Sequence, residues 1–136
     1  MPPANYDDPL VQALIGEAAS EGETGMRLVL DTIYNRSQRR GKSLEQIVQQ
    51  PYQFSAMQRP DLARFVQSQP QDVLLLALRL AAQARQPDYQ PTYPTDHYVT
   101  SEFYKNRGQL KPDHWLHQME PAQTVGGHVA LQPRKR

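Results

Sequence analysis

The sequence predicts an α+β fold, mainly helical, with a small β-hairpin or sheet in the C-terminal third. Three observations predict it. Apolar residues recur at helical spacing from Leu10 to about Arg85, in runs opened by capping residues and closed by glycine or proline. After Arg85 the texture changes to an extended, proline-rich stretch, Pro87 to Pro94. Two β-prone segments follow, His97-Tyr98-Val99-Thr100 and Thr124 to Leu131, the second broken by Gly126-Gly127. With 136 residues, no internal repeat and no dividing linker, residues 1–136 are expected to form one domain.

Each element has a local reason. Asp8 is placed to cap a first helix and Pro9 suits its first position, with Leu10, Val11, Leu14, Ile15 and Ala18 on one stripe. Gly22 and Gly25 are expected to bracket the turn that ends it. A second helix runs from about Thr24 to Arg39, burying Met26, Val29, Leu30 and Ile33, and Gly41 stops it. Ser43 with Gln46 forms a capping-box pattern for a short helix through Val48. Tyr52 to Met57 lacks a period and reads as loop. Pro60 opens a short helix through Val66. The segment from Gln69 to about Arg85 is expected to be the longest helix and, being apolar nearly all round, the centre of the core. Pro112 to Met119 reads as a short helix carrying Trp115.

Composition narrows the function. A net charge of +1 gives no broad nucleic-acid surface, and the basic cluster Arg134-Lys135-Arg136 reads as a solvated end. The chain has no cysteine, which excludes disulfide scaffolds, thiolate zinc sites and cysteine nucleophiles. The longest apolar run, Val73 to Leu78, is too short to insert in a membrane. The first residues are polar and acidic, without the basic and apolar regions of a signal peptide. The expectation is synthesis in the cytoplasm without a signal peptide.

The residue that stands out is Glu17. Helical steps back from it reach Ala13 and Leu14, then Leu10, so it continues the apolar stripe. A carboxylate carried out of water on such a face has the setting of a general acid. Gly16 beside it allows a ligand or a second stretch of backbone to come close. Glu21 and Glu23 read as solvated, and Asp31 is placed to pair with Arg27 or Arg36. No second carboxylate stands out by pattern, as a two-carboxylate glycosidase would need. The histidines His97, His114, His117 and His128 form a rival set. His114 and His117 share a helix face, and a third histidine would complete a zinc site. The aromatic supply (Tyr34, Tyr52, Phe54, Tyr89, Tyr93, Tyr98, Phe103, Tyr104, Trp115) with its neighbouring amides suits carbohydrate.

In order, the chain carries Gly16-Glu17-Ala18, Glu21-Gly22, Ile33-Tyr34-Asn35-Arg36, Gln53-Phe54-Ser55, His97-Tyr98, Pro112-x-x-Trp115 and Val125-Gly126-Gly127-His128. This order resembles the cell wall hydrolase family of the spore-cortex-lytic enzyme (SleB) catalytic domain, which also occurs in bacteriophage lysins. The resemblance implies a lysozyme-like fold and cleavage of peptidoglycan glycan strands between N-acetylmuramic acid and N-acetylglucosamine. It implies that Glu17 is the catalytic acid of a lytic transglycosylase giving 1,6-anhydro ends, with a hydrolytic muramidase as the variant outcome. It further implies that Gln53, Phe54, Ser55, Asn35 and Trp115 serve substrate binding, with the Asn35-Arg36 pair partly structural, that His97 and Tyr98 orient Glu17 or contact substrate, and that no cofactor or metal takes part. Asp96, where the family usually has a small or hydroxyl residue, would be a second carboxylate if it faced Glu17. Peptidoglycan is then the partner, met by a monomer or phage-particle component after release or virion delivery. The alternatives are a zinc amidase or peptidase built on the histidines, and a non-catalytic wall-binding or virion module.

Overall fold

The computed structural model describes residues 6–51 and 53–135. Tyr52, counted above among the aromatic residues, lies outside them, as do residues 1–5 and 136. The first helix, α1 (Pro9–Ala18), opens as the sequence predicts, with the Asp8 carboxylate accepting from the Leu10 N–H at 2.9 Å and Pro9 at the first turn. Leu10, Val11, Ala13, Leu14, Ile15 and Ala18 are all buried. They are covered from several sides by α2 (Gly22–Arg40), α3 (Leu44–Val48), α4 (Leu62–Gln67), α5 (Gln71–Ala84) and a 3₁₀ turn at Ser55–Gln58.

The central helix is therefore α1, which corrects the expectation placed on the leucine-rich segment. Helix α5 buries Leu74, Ala77, Leu80, Ala81 and Ala84 along one face, and Leu75 stands in solvent. A folded surface always retains apolar side chains, so leucine content alone does not mark the centre. Nor is α5 the longest helix, since α2 has 19 residues. Helix α2 also starts earlier than expected. Gly22 enters it with φ 72°, and Gly25 lies within its first turns, where a Cβ would stand 2.4 Å from that of Glu21. Gly41, at φ 64°, closes it in the left-handed conformation.

Arg85, just past α5, pairs with Asp8 and with Glu45 of α3. Burial pushes the Asp8 carboxyl up, but Arg85 and the Leu10 and Val11 N–H groups outweigh it, and the net position is below the ordinary value of 3.8. Asp8→Ala is expected to lower the urea-unfolding free energy by about 2–3 kcal/mol, from a lost cap and a lost ion-pair partner. Because the folded value is the lower one, this stabilisation is full above 3.8 and disappears as pH falls through the folded value. The gap between wild type and variant should close in acid.

One side of α2 holds the proline-rich connection in place. Asp31, fully buried, accepts from the Tyr89 hydroxyl and from the Thr92 and Tyr93 N–H groups at 2.8 and 3.0 Å. This corrects its expected pairing with Arg27 or Arg36. Asn35 donates to the Tyr93 and Thr95 carbonyls at 2.8 and 2.9 Å, and Arg36 Nε to the Asp96 carbonyl at 2.8 Å. An extended segment without a ladder of its own thus satisfies its backbone on a helix side, and enters β1 (His97–Thr100) from a fixed point.

The expected glycine-broken strand is a hairpin of β2 (Met119–Val125) and β3 (His128–Pro133), turned at Gly126 with φ 56°. Strand β3 lies between the other two, antiparallel to both, in the order β1-β3-β2. Pro121, which cannot donate to a ladder, sits on edge strand β2 at a register slip. Between β1 and β2 run α6 (Ser101–Lys105) and two 3₁₀ turns, Arg107–Gln109 and Trp115–Gln118, the second replacing the expected helix from Pro112. The architecture is mainly helical α+β with a small C-terminal sheet. Among the described residues no helix is long and apolar enough to cross a membrane.

Candidate active site

Glu17 lies in the last turn of α1, half-buried, where the helical body meets the sheet. Two donors from opposite sides hold its carboxylate. The Ala56 backbone N–H reaches Oε2 at 3.0 Å, and the Tyr98 hydroxyl reaches Oε1 at 3.1 Å. Gly16 makes the first contact possible. A Cβ there would stand 2.7 Å from the Ala56 Cβ and 3.9 Å from its Cα, so any side chain would push the 3₁₀ turn away. The close approach foreseen at Gly16 is thus that of a second stretch of backbone. Burial first, then the charge of Glu17, pushes the Tyr98 hydroxyl well above its ordinary value of 10.0. It keeps its proton and remains a donor to Glu17.

Open space flanks Glu17 on two sides. A hollow of about 490 Å³ lies toward α4 and α5, between Ile15, Ser20, Phe65, Gln69 and Val73. Another of about 420 Å³ lies toward the sheet, lined by Ser55, Ala56, Arg59, Tyr98, Thr100 and His128. Both include Gly16 and Glu17, so a groove passes over the carboxylate. Glu17 is the only carboxylate lining either hollow among the described residues.

The other residues singled out by sequence divide into three groups. Ser55 and Tyr98 are in the groove with Glu17. Gln53, Phe54 and Asn35 support it from behind. Phe54 is buried at 3% exposure and lies beneath the Arg36 guanidinium, 5.2 Å from its ring centroid, so no sugar stacks on it. Gln53 accepts from Arg36 at 3.1 Å, and the Asn35 amide is committed to the two carbonyls given above. His97 and Trp115 form the third group. His97 alternates with Tyr98 along β1, bonds Asp96 at 2.9 Å through Nδ1 and packs against Trp115 at 5.3 Å, away from Glu17. Asp96 is buried, and its carboxylate is held by Arg39 and His97. It does not line the groove, so it is not the second carboxylate that its position in the sequence allowed.

Sequence reasoning missed the Ala56 N–H, because a backbone donor has no side-chain signal. It placed His128 in a motif and in the zinc alternative only. His128 lines the groove, 7% exposed, with its ring edge against Tyr98 at 5.3 Å and its Nδ1 buried without a partner. The zinc alternative finds no ligand set, since no three His, Cys, Asp or Glu side chains converge on a metal-sized site among the described residues.

The comparison with known families decides the class. Residues 20–130 match the family described as Cell Wall Hydrolase, which is most of the 136-residue chain. The chain belongs to the cell wall hydrolase family. It is therefore an enzyme of peptidoglycan degradation. The matched span begins just after Glu17, so the weight on this carboxylate comes from the groove and its two donors. No curated protein and no solved structure matches the chain.

Proposed function

We propose that this cell wall hydrolase cleaves the glycan strand between N-acetylmuramic acid and N-acetylglucosamine by lytic transglycosylation, with Glu17 as acid and then base. The observation that carries this is one carboxylate, fixed by two donors, midway along an open groove. A polymer needs room on both sides of the bond that breaks, and the two hollows supply it. In the first step the Glu17 carboxyl gives its proton to the glycosidic oxygen and the bond to C1 breaks. The C6 hydroxyl of the muramic unit then attacks C1, and its proton passes to the Glu17 carboxylate. The sugar product leaves as a 1,6-anhydro ring and Glu17 is restored. Ala56 and Tyr98 hold the same two oxygens through both steps, so Glu17 stays aimed at one point.

The lone carboxylate favours the internal nucleophile over water. Glycosidases that use water generally place a second carboxyl group across the scissile bond. Here Asp96 is spent on Arg39 and His97. The test is mass spectrometry of muropeptides released from purified sacculi. The expected products end in 1,6-anhydro-N-acetylmuramic acid, 18 mass units below the reducing-end form through the absent water. Reducing ends throughout would replace this reading with that of a muramidase.

A further inference from the structure

His128 is the first residue of β3 and stands opposite Thr100 of β1. Directly opposed residues share a sheet face, so His128 lies on the side that carries Tyr98 and Thr100. All three line the groove with Glu17. The His128 and Tyr98 rings meet edge to face, centroids 5.3 Å apart, and Tyr98 in turn donates to Glu17 at 3.1 Å. One ring therefore separates His128 from the carboxylate. Its backbone is fixed, because β3 is the central strand and the Ser101 N–H donates to the Gly127 carbonyl at 2.9 Å. The imidazole itself bonds nothing among the described residues. Nδ1 is buried without a partner, while Nε2 is not buried with it and meets the groove. A proton on Nδ1 would be a donor sealed from any acceptor, which is worse than a sealed lone pair. The neutral ring therefore carries its proton on Nε2. A site that needed only a ring here would be better served by phenylalanine, without the buried nitrogen.

We infer, resting on the glycan reading of this groove, that His128 Nε2 donates to the acetamido carbonyl of the sugar seated between Glu17 and the sheet, and so makes the enzyme selective for N-acetylated strands. Sugar hydroxyls both give and take hydrogen bonds and are satisfied by water or by one another. Ring oxygens are weak acceptors, and the bridging oxygen is the one that Glu17 protonates. The acetamide on C2 instead holds a resonance-polarised carbonyl with two lone pairs, the strongest uncharged acceptor on the strand. The rest of this wall has little to offer it. Tyr98 and the Ala56 N–H are spent on Glu17. Arg59 is held by Asp61 through two bonds, at 2.7 and 2.9 Å. The Thr100 hydroxyl caps α6, and that of Ser55 gives or takes alike. His128 is the fixed donor that remains.

The test compares peptide-free glycan strands from sacculi with the same strands after alkaline N-deacetylation. His128→Phe keeps a ring against Tyr98 and removes the donor. It also removes the unpartnered nitrogen, so its thermal unfolding should match or exceed that of the wild type. The wild type should show the higher kcat/KM on N-acetylated strands. His128→Phe should shrink that preference about 10–10²-fold, the usual loss when a hydrogen bond in a desolvated site goes unmade. The ammonium left by deacetylation faces Glu17 in both proteins alike, so the ratio of preferences isolates the His128 contact. His128→Gln, with an amide N–H near the place of Nε2, should recover part of the preference, and His128→Ala gives the same reading if phenylalanine overfills the site. Equal slowing on both strands overturns the contact, as does wild-type turnover by His128→Phe on both, and either leaves the reading of Glu17 intact. If the wild type cleaves neither strand, equilibrium binding of the two strands to the same proteins decides. A preference for N-acetylated strands that needs His128 upholds the contact and removes the proposed reaction, whereas no such preference overturns the contact.

Discussion

Glu17→Gln should reduce release of muropeptides from sacculi by at least about 10²–10⁴-fold, the usual worth of a positioned general acid or base. The fold should survive, for a reason visible in the site. The glutamine oxygen still accepts from the Ala56 N–H. The Tyr98 hydroxyl can rotate and accept from the new amide, since a hydroxyl serves either way. Both contacts are kept and only the transferable proton is lost. Thermal unfolding should accordingly move little, and full retained activity would sink the proposal. The comparison is sharp because the groove holds no second carboxylate among the described residues to stand in.

The site was legible in sequence where side-chain type and helical spacing carry it. The stripe through Leu10 and Leu14 placed Glu17 against the core, and Gly16 announced a close approach. The ordered motifs named the family, and Tyr98 came with them. Spacing could not tell supports from contacts. Asn35, Gln53 and Phe54 fall in motifs beside the groove, yet their groups are turned inward to hold the connection, Arg36 and the core. Strand alternation separated His97 from Tyr98, because neighbours on a strand face opposite sides. The sequence places both in one motif, with no mark of which side holds the carboxylate. In the fold, caps and glycine stops were read well at α1, α3 and the end of α2. The rank of helices in the core was not, because leucine count reports the apolarity of a helix and not how many others surround it.

The second large effect is expected at Arg36, which no chemistry singles out. Arg36 is 8% exposed, and burial pushes its guanidinium below its ordinary value. Nε donates to the Asp96 carbonyl at 2.8 Å, Nη1 donates to Gln53 at 3.1 Å, and the plane lies over Phe54. Asp96 is the last residue before β1, which carries Tyr98. Gln53 and Phe54 lead into the turn that carries Ala56. One side chain therefore ties together the two segments whose donors hold Glu17. Arg36→Met leaves a buried carbonyl without its donor and should cost about 1–3 kcal/mol of stability by urea unfolding. Activity should suffer beyond that. At temperatures where the variant remains folded, kcat should fall about 10–10²-fold, as expected when a catalytic group drifts by around an ångström. Arg36→Lys keeps the charge but not the planar fork that spans both acceptors, so it should recover part of the stability and little of kcat. A purely structural residue would restore both together. If folded Arg36→Met turned over at the wild-type rate, the two arms would hold Glu17 without their common tie, and the geometry of the groove would have to come from the core alone.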